Sequence, residues 1–226
     1  MGVSAQHQRR KSAKAARRKV IVAEKKKAEA PPIGMAGAIR QAASSPIACC
    51  VMPTGLFELG IGHVIVAREL PSGRLGCGFF LVDTYCLGIK DTFYREMSPD
   101  DLQARLGTHE IQTFADLAPA CARKLLRDAA AYAADLGLAP AKDYRALEAI
   151  FGDVDAGACT ETFTFGRDGK PFYATGPLDT PARIRVVTRT LQQRCGTDGW
   201  HYMIGLPPEE DDLEEIEFDG DDAAEE

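Results

Sequence analysis

Nine consecutive residues, Asp83-Thr-Tyr-Cys-Leu-Gly-Ile-Lys-Asp91, hold the densest mixture of reactive side chains in the chain. Asp83, Cys86, Lys90 and Asp91 place two carboxylates, a thiol and an amine directly after an apolar run that reads as a strand. Strand ends are where loops expose functional groups. Two chemistries fit these residue types. Asp83 and Asp91 would share a divalent cation in a small hydrolase or nuclease, or Cys86 would act as a nucleophile with His63, His109 or His201 as its base. A third reading makes the segment a turn that caps a sheet, in which Asp83 and Lys90 satisfy backbone groups.

A second cluster is basic. The segment from Pro181 carries Arg183, Arg185, Arg189 and Arg194, with no acid between Asp179 and Asp198. Arg185 and Arg189 are four residues apart, so a helix sets both on one face as a fork for phosphate or carboxylate. Arg167 and Lys170 from a neighbouring turn extend the patch, and Tyr173 and Trp200 offer stacking surfaces. The alternative is a solvated helix face whose arginine stems cover apolar neighbours.

Stronger motifs are missing. Gly166-Arg-Asp-Gly169-Lys170 lacks the spacing of a phosphate loop and reads as a hairpin turn, and Gly60-Ile-Gly62 is not followed by a helical pattern. There is no Cys-x-x-Cys, and adjacent Cys49 and Cys50 point to opposite strand faces, which prevents them from gripping one metal. The sequence names no cofactor and no metal-ligand set. Seven scattered cysteines, an odd count, fit reduced and mostly buried thiols in a cytoplasmic protein, not a secreted disulfide scaffold.

The elements that must position these groups read as an α+β fold: an antiparallel sheet built from two hairpins, with an inserted pair of helices and a C-terminal helix. Residues 47–52, bounded by Pro46 and Pro53, form a short buried strand. Residues 62–69 and 75–83 flank the turn composition Pro71-Ser-Gly-Arg74 and form the first hairpin. With Ser72-Gly73 as a two-residue loop, His63 opposes Val82, so Val64, Val66, Phe79 and Leu81 share one face while Ile65, Phe80 and Val82 share the other. A three-residue loop reverses this parity. Apolar residues on both faces predict a sheet covered on two sides.

Ser98-Pro-Asp-Asp101 starts a helix with a capping hydroxyl, proline at the first position and acids near the positive end of the dipole. The spacing of Ala122, Leu125, Ala129, Tyr132 and Leu136 predicts a helix over 119–136, stopped by Gly137. A second follows over about 141–151, with Tyr144, Leu147 and Ile150 inward. The second hairpin pairs 162–165 with 171–174 around Asp168-Gly169, a strong tight-turn signal. A helix capped by Asp179 or Thr180 buries Ile184, Val187, Leu191 and Cys195, and a last strand spans 200–204.

Charge is segregated along the 226 residues, whose formal sum is -6. Residues 1–29 hold ten of the 27 bases, including Arg9, Arg10, Lys11, Arg17, Arg18 and Lys19, against two acids. Residues 209–226 hold twelve of the 33 acids and no base, which leaves 17 bases and 19 acids between them. The organisation expected is therefore a basic mobile arm over 1–30, one globular domain over 31–207 and an acidic disordered tail over 208–226. No stretch approaches the about 20 consecutive apolar residues that a bilayer requires, so no membrane partner is expected.

A basic arm of this kind neutralises phosphates without reading sequence. It would otherwise pair with the acidic tail of the same or another copy, or stay solvated. The functional expectation is a cytoplasmic binding protein that contacts nucleic acid or a nucleoprotein through the arm and the Arg-bearing helix, with a basic protein as a further partner for the acidic tail. The alternative is the hydrolase or nuclease at Asp83–Asp91.

Overall fold

The computed structural model describes residues 34–107, 113–176 and 179–203. The chain divides into two compact units, 1–37 and 38–226. Of the first, residues 34–37 are described, and the Gly37 N–H donates to the Gly34 carbonyl at 2.7 Å to open a helical turn. The arm expected over 1–30 and the tail expected over 208–226 lie outside the described residues.

Helix α1 (Met35–Ala43) leads into a five-stranded antiparallel sheet made of β1 (Ile47–Pro53), β2 (Ile61–Glu69), β3 (Leu75–Asp83), β4 (Gly88–Met97) and β5 (Phe114–Asp116). Their spatial order is β4-β3-β2-β1-β5, and the short helix α2 (Leu56–Leu59) links β1 to β2. The β2–β3 hairpin closes through three residues. Glu69 opposes Leu75, the Leu70 N–H donates to the Arg74 carbonyl, and the Gly73 N–H donates to the Leu70 carbonyl. Gly73 sits at φ +77°, the left-handed position that three-residue hairpin loops place last. The extra loop residue overturns the parity expected from a two-residue turn: His63 opposes Leu81, not Val82. Val64, Val66, Phe80 and Val82 consequently share one face, and Ile65, Ala67, Cys77 and Phe79 share the other.

Both faces are covered, as the two-sided apolar pattern implied. The first packs against α1, α4 (Pro119–Asp135) and α5 (Tyr144–Glu148), with Leu125, Leu126, Leu147 and Phe151 fully buried. The second packs against α3 (Pro99–Gly107) through Leu102, and the Phe79 and Phe93 rings stack at 4.4 Å. Helix α3 starts with the reciprocal cap that Ser98 promised: Asp101 N–H donates to Ser98 Oγ, and the Ser98 N–H and hydroxyl donate to Asp101 Oδ2. Helix α4 buries Ala122, Leu125 and Ala129 as its spacing predicts. The helix expected to about 151 is α5 continued by a 3-10 turn, Ala149–Phe151.

The second hairpin does not form. Residues 162–165 are not a strand, and Arg167↔Lys170 is an isolated bridge around the tight turn at Asp168 (φ 53°) and Gly169 (φ 78°). Packing competes successfully with pairing here. Phe163 stacks on Phe57 and Phe165 on Tyr132, while the Gly166 and Phe172 N–H groups donate to the Thr84 and Tyr85 carbonyls. The strand β6 (Phe172–Ala174) then pairs in parallel with β7 (His201–Met203) instead. Helix α6 (Pro181–Cys195) carries Val187 and Leu191 into a cluster with Cys86, Leu87 and Tyr173. No helix among the described residues is long and apolar enough to cross a membrane.

Two tertiary ties hold the helical side. Arg68 of β2 is 5% exposed. Its Nε donates to Ile150 O at 2.9 Å, Nη1 to Ser45 O at 2.6 Å and Nη2 to Phe151 O at 2.6 Å. The second tie corrects the expectation that all seven cysteines are reduced. Cys121, in the first turn of α4, is disulfide-bonded to Cys159, just after the 3-10 turn Ala156–Ala158, with Cα atoms 4.9 Å apart. The tertiary approach of these two turns brings the thiols within bonding range, and the other five cysteines are free.

Arg68→Met is expected to destabilise the protein by roughly 3–5 kcal/mol in urea unfolding, because three carbonyls lose their buried donor. Alkylation of the denatured chain without reductant should label five thiols, and seven after reduction. The bond closes a 38-residue separation, so the Cys121→Ser, Cys159→Ser double variant should lose roughly 3–4 kcal/mol.

Candidate functional site

The turn between β3 and β4 is built around Asp83. Its Oδ1 accepts the Tyr85 N–H at 3.0 Å and the Cys86 N–H at 2.8 Å, closing the chain over the end of β3. The same turn is tied on every side. The Thr84 N–H donates to Gly60 O, the Tyr85 hydroxyl donates to Glu58 O, and the Tyr132 hydroxyl donates to Tyr85 O. Gly88 then begins β4 at φ +64°, so close to α4 that a Cβ would collide with the Ala129 carbonyl oxygen. Burial pushes the Asp83 carboxyl up to about 6, against the lowering pull of the Cys86 N–H, Lys90 and the Tyr85 N–H.

The four residues singled out in this segment occupy three environments. Asp83 is buried and engaged by backbone. Cys86 has no exposed surface, and burial, then Asp83 and Cys195, pushes its thiol up, away from the thiolate a nucleophile requires. Asp91 is exposed, opposes Leu81, and accepts the N–H of its neighbour Thr92. Lys90 occupies the bulge where Leu81↔Asp91 gives way to Val82↔Ile89, and its Nζ lies 3.5 Å from Asp179 Oδ2.

None of the three histidines weighed as a base is shown beside Cys86. His63 packs edge-on against Phe79 and Phe93, His201 is exposed in β7, and His109 lies outside the described residues. Among the described residues no group of three or more His, Cys, Asp or Glu could hold a metal ion.

Asp179, read from sequence as a capping residue, is a larger hub than that. Its Oδ2 accepts the Gly176 N–H at 2.8 Å and pairs with Lys90 and the Tyr173 hydroxyl, and its Oδ1 meets Arg183 Nε at 3.2 Å. Thr180 is the cap, its Oγ1 accepting the Arg183 N–H. These bonds pin the start of α6 to β4 and β6 and fix the direction in which its outer face points.

That outer face is basic. Arg185 and Arg189 are exposed and adjacent across one turn, and no described acid pairs with either, whereas Arg183 is engaged by Asp179. Gln192 continues their stripe, and its Oε1 accepts from the Trp200 indole at 3.4 Å. Trp200 leans on Tyr202, which stacks on Tyr173 while remaining 40% exposed. Val186 beside the arginines is 63% exposed. Lys170 Nζ donates to Asp198 O at the far end of α6, and Arg167 covers the Phe172 ring at 4.9 Å. The arm residues Arg9, Arg10, Lys11, Arg17, Arg18 and Lys19 are outside the described residues.

Residue spacing missed Arg68, Asp179 and the Arg123–Glu148–Arg127 cluster, in which Glu148 Oε1 lies 2.6 Å from Arg123 Nε and 2.9 Å from Arg127 Nη2. Asp179 showed only as a possible cap, and the only local sign of the others was a charge within a partly apolar pattern. Compared with known proteins, the chain matches no family model, no curated protein and no solved structure.

Asp83→Asn keeps an oxygen acceptor for both N–H groups and removes a buried charge. The folded value of about 6 lies above the ordinary 3.8. The native state therefore holds a proton in this window that the unfolded chain has released, and stability falls as pH rises through it. Urea unfolding should show the variant equal to the wild type at about pH 4 and more stable above about pH 6.5, by up to roughly 3 kcal/mol. A variant less stable throughout would make the carboxylate itself essential to the turn.

Proposed function

We propose that the protein binds nucleic acid or a nucleoprotein through the exposed face of α6, assisted by the basic arm of residues 1–30. The observation that supports this reading is the pair Arg185 and Arg189, which project from a helix without acids. Two guanidinium groups one turn apart match neighbouring phosphates, and each phosphate contact releases counterions. Trp200 and Tyr202, at the end of the same stripe, supply aromatic surface on which unpaired bases stack. A single-stranded ligand is favoured by that combination. The acidic tail, twelve acids over 209–226, would compete with the ligand for the same cations or engage a basic protein partner.

The hydrolase reading at Asp83–Asp91 has less support, because Asp83 Oδ1 is engaged by the Tyr85 and Cys86 N–H groups and no third metal-ligating side chain joins the two carboxylates among the described residues. A disulfide persists in oxidising surroundings and is uncommon in the cytosol. The proposed activity is tied to charge and stacking for that reason, and not to the cytoplasmic location expected from sequence.

Fluorescence anisotropy of the full chain with a single-stranded RNA and a duplex DNA of equal length, across about 50–300 mM salt, tests the proposal. Arg185→Gln with Arg189→Gln should weaken RNA binding about tenfold or more and lower the slope of log affinity against log salt by about 1.5. Replacing the six named arm residues by Gln should lower it further. Unchanged slopes in both variants, or no binding by the wild type, would reject the reading.

A further inference from the structure

The cleft at the C-terminal end of α1, of about 540 Å³, lies apart from α6 and from the Asp83 turn. It is lined by Arg40, Ser44, Ser45, Arg68 and Asp153, among others. We infer that it binds the oxyanion, phosphate or carboxylate, of a small molecule that also carries a hydrogen-bond donor.

Arg68 is the fixed element of this site. A guanidinium has five N–H donors in a planar fork. Among the described residues, Ile150, Ser45 and Phe151 carbonyls take three of them, leaving one on each terminal nitrogen. The side chain is 5% exposed and held from three directions, so its remaining donors are preorganised and lose little entropy on meeting a ligand. Arg40, in the last turn of α1, brings a second guanidinium to the same cleft. The Ser45 hydroxyl, which has no bond among the described residues, adds a donor, whereas the Ser44 hydroxyl donates to Gln41 O.

Charge selects the ligand. Two guanidinium groups face one carboxylate, Asp153, so the cleft carries a net positive charge and suits an anion. Asp153 is an acceptor only, and opposite it a ligand hydroxyl or ammonium would be favoured over a second oxyanion. The volume lies within the roughly 300–1,000 Å³ typical of small-molecule sites, so it accommodates an organic body beyond the anionic group.

Titration calorimetry and thermal unfolding of the full chain, with inorganic phosphate and with acetate at constant ionic strength, test this inference. Saturable binding and a raised midpoint, absent with chloride, are expected for one or both anions, and the stronger of the two identifies the source of the oxyanion. Arg40 and Asp153 are both exposed, so their variants should keep the fold, which the ligand-free midpoint checks. Arg40→Gln should weaken binding about tenfold, and Asp153→Asn should tighten it severalfold. The Arg185→Gln, Arg189→Gln variant should bind as the wild type does. The inference is overturned if neither anion binds saturably, if Arg40→Gln and Asp153→Asn both leave affinity unchanged, or if the α6 variant abolishes binding.

Discussion

The helical side of the sheet depends on one buried cation. Arg68 belongs to β2, a strand with neighbours on both sides, and its even position turns it toward the face that α1, α4 and α5 cover. Burying a guanidinium is costly, and a single opposite charge rarely offsets the cost. Here the compensation comes from carbonyls. Ser45 lies just beyond α1, and Ile150 and Phe151 form the 3-10 turn that extends α5. Both are C-terminal ends, where unsatisfied carbonyls concentrate negative potential. One side chain thus terminates two helical segments and locks both to the strand between them. The path from α5 into the segment that carries Cys159 begins at this lock, and the disulfide to α4 closes it.

The Asp83 turn uses the same economy of groups on the opposite end of β3. The Asp83 carboxylate is committed to two N–H groups of its own turn, and the turn's carbonyls receive the Gly166 and Phe172 N–H groups from a distant segment. That docking explains the absence of the second hairpin. Residues 162–165 had alternating aromatic residues and a strong Asp-Gly turn, yet the sites that Phe57 and Tyr132 offer to Phe163 and Phe165 outweigh a ladder exposed to water. Polar groups in the interior therefore act as connectors, whereas Arg185 and Arg189 on α6 and Arg40 beside the α1 cleft are exposed.

Much of the architecture was legible in the residues, and each part that was not has a physical cause. Local signals held where one segment determines the outcome: the Ser98 cap, the apolar spacing of α4, the Thr180 start of α6 and the first hairpin's two strands. The register of that hairpin was not legible because Pro71-Ser-Gly-Arg74 can close through two residues or three. The choice rests on whether Gly73 takes the left-handed place after the turn, which depends on strand twist as well as residue type. Arg68 looked like the polar end of a strand, since nothing nearby in sequence announces three carbonyls from residues 45, 150 and 151. The Cys121–Cys159 pair is equally silent. An odd cysteine count and a separation of 38 residues argue for free thiols until α4 and the 156–158 turn are seen side by side.

The candidate site divides along the same line. Arg185 and Arg189 were recognisable because helical spacing alone makes them neighbours, and α6 itself contains no acid to pair with them. The residues that aim them were hidden, because Asp179 reads as a cap while its contacts lie on β4, β6 and α6 together. A basic helix on a flexible mounting would meet phosphates in many orientations and gain affinity without geometry. Asp179 removes that freedom by binding Lys90, Gly176, Tyr173 and Arg183 at once, so the arginine stripe and the Trp200–Tyr202 surface keep a constant relation. Rigid spacing between cations and rings would separate a recognition surface from a merely charged one, and under the proposed reading the internal carboxylate of Asp179 would supply it.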